Sequence, residues 1–113
     1  MISSKERPHV YYDVDYTLVK PYDGTCVPES TVEVGGVEWQ INHNLIQEIY
    51  LSKARGHIVV VWSQGGVDWA RAVVEALELA DTVDFCLAKP SWWADDKFSE
   101  DIVEPSRRFY RDF

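Results

Sequence analysis

The stretch His9-Val10-Tyr11-Tyr12-Asp13-Val14-Asp15-Tyr16-Thr17-Leu18-Val19 constrains this chain more than any other. β-Prone residues run straight into Asp13, a second carboxylate follows two places on, and a hydroxyl two places after that. Val10 to Tyr12 show no polar alternation, which predicts a strand buried on both faces in the middle of a parallel sheet. Asp13 then stands at the carboxyl end of that strand, the edge where open α/β sheets bind ligands. The strand period of two turns Asp13 and Asp15 to the same side. Two carboxylates so placed repel unless a cation or a shared proton intervenes. Taken alone, the pair also reads as an acidic turn or a helix cap, so the rest of the chain has to decide.

Downstream, strands and helices alternate. Met1 to Pro8 is polar and expected to fray, and Lys20 to Gly24 reads as a turn. Thr31 to Ile41 carries a hairpin signal, with Gly35-Gly36 suited to a two-residue primed turn. In that register Val34 faces Val37 and Val32 faces Trp39, while Glu33 sits opposite Glu38 as a solvated like-charge pair. Asn44 to Arg55 reads as a helix with a Leu45, Ile46, Ile49, Tyr50 stripe, Asn44 as N-cap and Gly56 as its stop. Ile58 to Trp62 is a second buried strand. A helix with Val67, Ala70, Val73, Val74 and Leu77 on one face follows Ser63-Gln64-Gly65-Gly66 at once. Val83 to Leu87 is a third, shorter strand. Ser91 to Ala94 is a short apolar segment ahead of Asp95-Asp96; at least one of Trp92 and Trp93 is expected in the core, the other at the substrate mouth. The tail, about 98–113, is expected to pack its aromatics back on the sheet, with Ile102 and Val103 on a short helix.

These elements predict one α/β domain spanning 1–113, a Rossmann-like sandwich with a mainly parallel sheet and a hairpin flap at about 28–42 after the first strand. With 113 residues, 46% of them hydrophobic, the chain has enough apolar mass for one core. The net charge of -8 argues against a general nucleic-acid or anionic-membrane binder, since those carry a basic face. Cys26 and Cys86 are too few for a disulfide framework, and Cys86 in an apolar strand reads as a small core hydrophobe. With neither a signal peptide nor an apolar run of membrane-spanning length, a cytoplasmic protein is expected. His9, His43 and His57 flank elements instead of clustering, and Trp62 and Trp69 read as core.

Four polar clusters each follow an apolar, strand-like run: Asp13 with Asp15, Ser63, Lys89, and Asp95 with Asp96. In a parallel sheet the strand carboxyl ends share one edge, so distant clusters converge. Each suits phosphoryl transfer. A carboxylate can attack phosphorus, and a second can protonate the leaving group and then activate water. A hydroxyl with main-chain N–H groups at a helix start can hold phosphate oxygens, and glycines let that backbone come close. A lysine adds positive charge where the transition state is most negative. An acidic pair suits Mg²⁺, a hard cation that takes oxygen ligands.

In this order the clusters resemble the haloacid dehalogenase (HAD) superfamily. Asp13-Val14-Asp15-Tyr16-Thr17 looks like its Asp-x-Asp-x-Thr motif, Ser63 its second motif, Lys89 its third, and Asp95-Asp96 its fourth. The resemblance implies Asp13 as nucleophile and Mg²⁺ ligand, and Asp15 as general acid/base that also gives the metal its main-chain carbonyl. Ser63, Gln64, Gly65 and Lys89 would hold the phosphoryl group, and Asp96, or else Asp95, would complete the metal site. The presence of Asp15 favours phosphatase chemistry over dehalogenation. The gaps between motifs are too short for the family's large caps, which implies a capless member whose hairpin serves as flap and whose lid is the substrate itself, a protein partner or a second copy. Only Pro90 to Ala94 separate Lys89 from Asp95, too few for a crossover helix, so a fourth strand is either very short or reached by an extended loop.

Three other readings stand against this. A receiver-type signalling domain needs a phospho-accepting Asp after a middle strand, and there is no Asp from Thr25 to Val67. A catalytically silent HAD-like interaction module, or an acidic module working through Glu33, Glu38 and the aromatic tail, predicts no turnover and no Mg²⁺ dependence.

Overall fold

The computed structural model describes residues 7–25 and 28–96. Its first strand, β1 (His9–Asp13), pairs in parallel with β5 (Ile58–Ser63), which pairs in parallel with β6 (Phe85–Ala88), so the sheet order is β1-β5-β6. A separate antiparallel sheet has the order β2-β4-β3, built from β2 (Val19–Pro21), β3 (Thr31–Val34) and β4 (Val37–Ile41). Among the described residues two α-helices complete the fold, α1 (His43–Ala54) and α2 (Val67–Ala76). The chain is thus a small α/β protein with two distinct sheets. No helix among the described residues is long and apolar enough to cross a membrane.

Among the described residues the strand expected in the middle of the parallel sheet is an edge, and β5 is central. The reason lies in the connections. β1 to β5 and β5 to β6 step in the same direction, and crossovers of one hand that step in one direction put both helices on one face. Tyr12, Val59 and Val61 point to that face and join Leu45 and Ile49 of α1 and Ala70, Val73 and Val74 of α2 in one core. Burying each such valine contributes about 2 kcal/mol. The opposite face carries Tyr11, Trp62, Phe85 and Leu87. Tyr11 is 45% exposed, so β1 is buried on one face only. Cys86 packs partly against the core, and burial pushes its thiol above the ordinary value.

The hairpin forms in the expected register, Val34 with Val37, Glu33 with Glu38 and Val32 with Trp39. Gly35 and Gly36 both have positive φ, as a primed turn requires. The segment Lys20 to Gly24 does not begin as a turn. Val19–Pro21 pairs with Ile41 to Trp39 as a third strand, and Pro21 is tolerated because that strand is an edge.

The N-cap of α1 is Asn42, two residues before the one expected. Its Oδ1 accepts from Leu45 N at 3.3 Å, while its Nδ2 donates to Thr17 O at 3.0 Å, a tertiary bond that the local pattern does not announce. Tyr50 is exposed, and Ser52 takes the buried place instead, 2.7 Å from the Tyr12 hydroxyl. The third strand starts at Phe85, not Val83, because Val83 N bonds back to Leu79 O. Arg7 and Pro8, expected to fray, are instead tied down through Gly56 O and Ile58 N, and residues 1–6 lie outside the described residues. Neither Trp92 nor Trp93 is core; they are 93% and 56% exposed. Beyond β6 no further strand forms among the described residues. Cys26 and the tail from Lys97, with the expectations attached to it, lie outside the described residues.

Candidate active site

Parallel pairing brings the ends of β1, β5 and β6 to one edge. Asp13 stands level with Trp62, and Ser63 with Ala88, one residue before Lys89. Lys89 Nζ lies 3.1 Å from Asp13 Oδ1, with about a third of each side chain open to solvent. Thr17 Oγ1 donates to the other oxygen, Oδ2, at 3.1 Å. The Lys89 ammonium also sits 5.8 Å from the centre of the Trp62 ring, against which Tyr11 packs tilted at 57° with centroids 4.6 Å apart. Asp13 is therefore held between a cation and a hydroxyl, with about a third of its side chain open to solvent.

The loop after β1 is wound tightly. Val14 O accepts from the N–H groups of Thr17, Leu18 and Val19, and Tyr16 N donates to Val19 O at 2.7 Å. Tyr16 takes positive φ (60°), a conformation that costs a side-chain-bearing residue energy and recurs at functional loops. This winding bridges Asp15 to Val19, and neither hydrogen bond of the bridge uses the Asp15 carbonyl. The Asp15 side chain meets α2: Trp69 Nε1 donates to its Oδ1 at 3.1 Å.

Ser63 is fully buried at the end of β5. Its Oγ accepts from Gly65 N at 2.9 Å, which leaves the hydroxyl hydrogen free to donate. Its carbonyl accepts from Lys89 N at 2.9 Å and Gly66 N at 3.2 Å, so β5 sets the position of the lysine directly. Gln64 and Gly65 are exposed at the start of α2, where Gly66 needs its positive φ of 103° as N-cap. A Cβ on Gly65 would lie 2.8 Å from Trp69 Cδ1, so that glycine makes room for the indole.

The structure brings Asp13, Thr17, Ser63 and Lys89 together and sets Asp15 beside them on the same turn. Asp95 and Asp96 are exposed. Among the described residues no three His, Cys, Asp or Glu side chains form a group that could hold a metal, so this pair is not gathered with Asp13 and Asp15. Thr17, Trp62 and Trp69 are contributors that sequence reasoning did not assign to the site. Trp69 reads as core from its helix face, and only the fold brings its N–H to Asp15.

No family model, curated protein or solved structure matches this chain.

Proposed function

We propose that this protein is a Mg²⁺-dependent phosphomonoester hydrolase of the HAD type, capless, with a Rossmann-like core. The observation that carries the reading is the 3.1 Å pairing of Lys89 with Asp13, which joins two separately read motifs at one sheet edge. The open flank of Asp13 and the hydroxyl of Thr17 on its other oxygen support it further. The charge of -8 favours a small phosphorylated substrate or a phosphoprotein over nucleic acid.

In this reading Asp13 attacks phosphorus, and the bond from phosphorus to the ester oxygen breaks. The leaving oxygen takes a proton from the Asp15 carboxyl group. Water then attacks the aspartyl-phosphate and gives a proton to Asp15. The acyl-phosphate bond breaks, releasing inorganic phosphate and restoring the Asp13 carboxylate. Lys89 and the exposed Gln64 hold the phosphoryl oxygens, while the buried Ser63, whose Oγ takes the Gly65 N–H, fixes the loop that presents them.

The residues present fit Mg²⁺. Asp13 Oδ1 already takes a cationic partner, and the Asp15 carbonyl stands outside the bridge that winds the loop. Both are oxygen donors, and Mg²⁺ needs only one or two carboxylates because it keeps several waters. Asp96 or Asp95, exposed and not gathered with Asp13 and Asp15 here, would have to close onto the site to supply the second carboxylate. When bound, the ion offsets the repulsion between Asp13 and an anionic phosphate.

The test is hydrolysis of an aryl phosphate with and without Mg²⁺, by the wild type and by Asp13→Asn. Mg²⁺-dependent release of phosphate that disappears in a folded variant is expected. Undiminished turnover in Asp13→Asn would overturn the assignment of the nucleophile.

A further inference from the structure

Trp69 meets three groups at once. Its indole N–H donates to Asp15 Oδ1 at 3.1 Å. Its ring packs on Trp39 of β4, with centroids 5.1 Å apart and planes at 52°, within the range of favourable aromatic pairs. Its Cδ1 edge occupies the space that the missing Cβ of Gly65 leaves open. An indole has one donor and no acceptor, so the N–H has a single task, and that task is to aim one oxygen of Asp15. Trp39 belongs to the flap sheet, and its own indole N–H is buried with no hydrogen-bond partner among the described residues. For packing alone a phenyl ring would serve without that uncompensated donor. The present seat of the flap therefore carries a cost, and the gain it brings is the fixed Trp69 ring.

We propose that Trp69 is a positioning residue for Asp15, and that the flap, through Trp39, seats the Trp69 ring so that the acid is aimed only when the flap is docked. This rests on the reading of Asp15 as the proton donor to the leaving group. It adds to that reading a coupling between the flap and the proton, carried by side chains of α2 and β4.

The kinetic test separates aim from fold. An alkyl phosphate needs a proton on its leaving oxygen, whereas 4-nitrophenolate departs without one. The ratio kcat/KM covers only the steps up to transfer onto Asp13, so it is blind to the later hydrolysis of the aspartyl-phosphate. Trp69→Phe keeps a ring and loses the N–H. It is expected to lower kcat/KM for an alkyl phosphate at least about 10-fold and for 4-nitrophenyl phosphate by less than about 3-fold, since general acid catalysis is felt where the leaving group needs it. Trp39→Leu is expected to split the two substrates in the same direction. Equal losses on both substrates, or no loss, would overturn the proposal.

A second measurement needs no turnover. In a ¹H–¹⁵N spectrum the indole resonance that Trp69→Phe deletes is expected to move upfield in Asp15→Ala, and an unmoved resonance would overturn the contact. Should Trp69→Phe fail to fold, the resonance is assigned through its cross-peaks to the Trp39 ring, and Trp39→Leu carries the kinetic arm. If the wild type hydrolyses neither ester, the phosphatase reading fails, and the indole resonance still decides the contact by itself.

Discussion

Lys89 and Asp13 meet at 3.1 Å although one follows the last strand of the parallel sheet and the other ends the first. The pair is about a third exposed on each side, so solvent screens most of its worth to folding. Its worth to chemistry is set by the transition state. Lys89→Ala is expected to lower kcat by about 10²–10³ while changing stability by less than about 1 kcal/mol. Steady-state kinetics beside a urea titration check both halves, and a large loss of stability would mean that the pair is structural.

Gly65 matters for the space it leaves. A methyl group there would lie 2.8 Å from Trp69 Cδ1 and 3.3 Å from Ser63 Oγ, so something has to move. Trp69 gives way, and Asp15 loses its donor. Gly65→Ala is expected to reduce turnover of alkyl phosphates by about 10-fold, within the range that general acid catalysis supplies. Kinetics near wild type would show that the loop absorbs the methyl group.

Asn42 joins the flap, the helix and the active-site turn. Its main-chain N donates to Leu18 O at 2.9 Å, its Nδ2 to Thr17 O at 3.0 Å, and its Oδ1 caps Leu45 N. Asn42→Ala is expected to cost about 2 kcal/mol, from a lost cap and an unpaired carbonyl. Asn42→Ser keeps a capping oxygen and loses the donor to Thr17 without placing a charge against that carbonyl, so it should cost less. Urea midpoints of the three proteins test that order.

Asp84 fastens the other end of the parallel sheet. Its Oδ1 takes Lys53 Nζ at 2.8 Å, its Oδ2 accepts from Val59 N at 2.8 Å, and its own N–H donates to Val59 O. The hydrogen bond from Lys53 first, and that from Val59 second, hold its carboxyl below the ordinary 3.8. A carboxyl lowered in the folded state stabilises the protein above its unfolded value, and that contribution is lost as the pH falls through the folded value. Asp84→Asn is expected to cost about 1 kcal/mol at pH 7, the pair being partly exposed. That cost should shrink as the pH falls below the ordinary carboxylate value. A cost that does not change with pH would mean that the carboxamide fails for steric reasons.

Much of this arrangement was legible in the chain. The hairpin register followed from Gly35-Gly36 and strict alternation, and β5 from a run of β-branched residues. Asp13, Ser63 and Lys89 were placed at strand ends by the same logic. What escaped depends on long-range geometry. β1 looked central because Tyr11 and Tyr12 are both large and apolar, yet which face a helix covers is set by the direction of the crossovers. Asn42 was passed over as a cap because its second bond goes to Thr17, far away in sequence. Trp69 was read as packing, since no periodicity shows where a single N–H will point.

The strand β2 begins at Val19, so only Leu18 separates it from Thr17, whose hydroxyl holds Asp13. There is no slack in that connection. A conventional lid swings on a flexible elbow and leaves the catalytic floor undisturbed. Here floor and lid are one stiff piece, and a ligand that tilts the flap has to unzip β2 from β4 or drag the aspartate turn with it. On the proposed reading the two parts resemble less a box with a hinged cover than a crank, in which displacement at the rim would reach Asp13 and Asp15 as rotation.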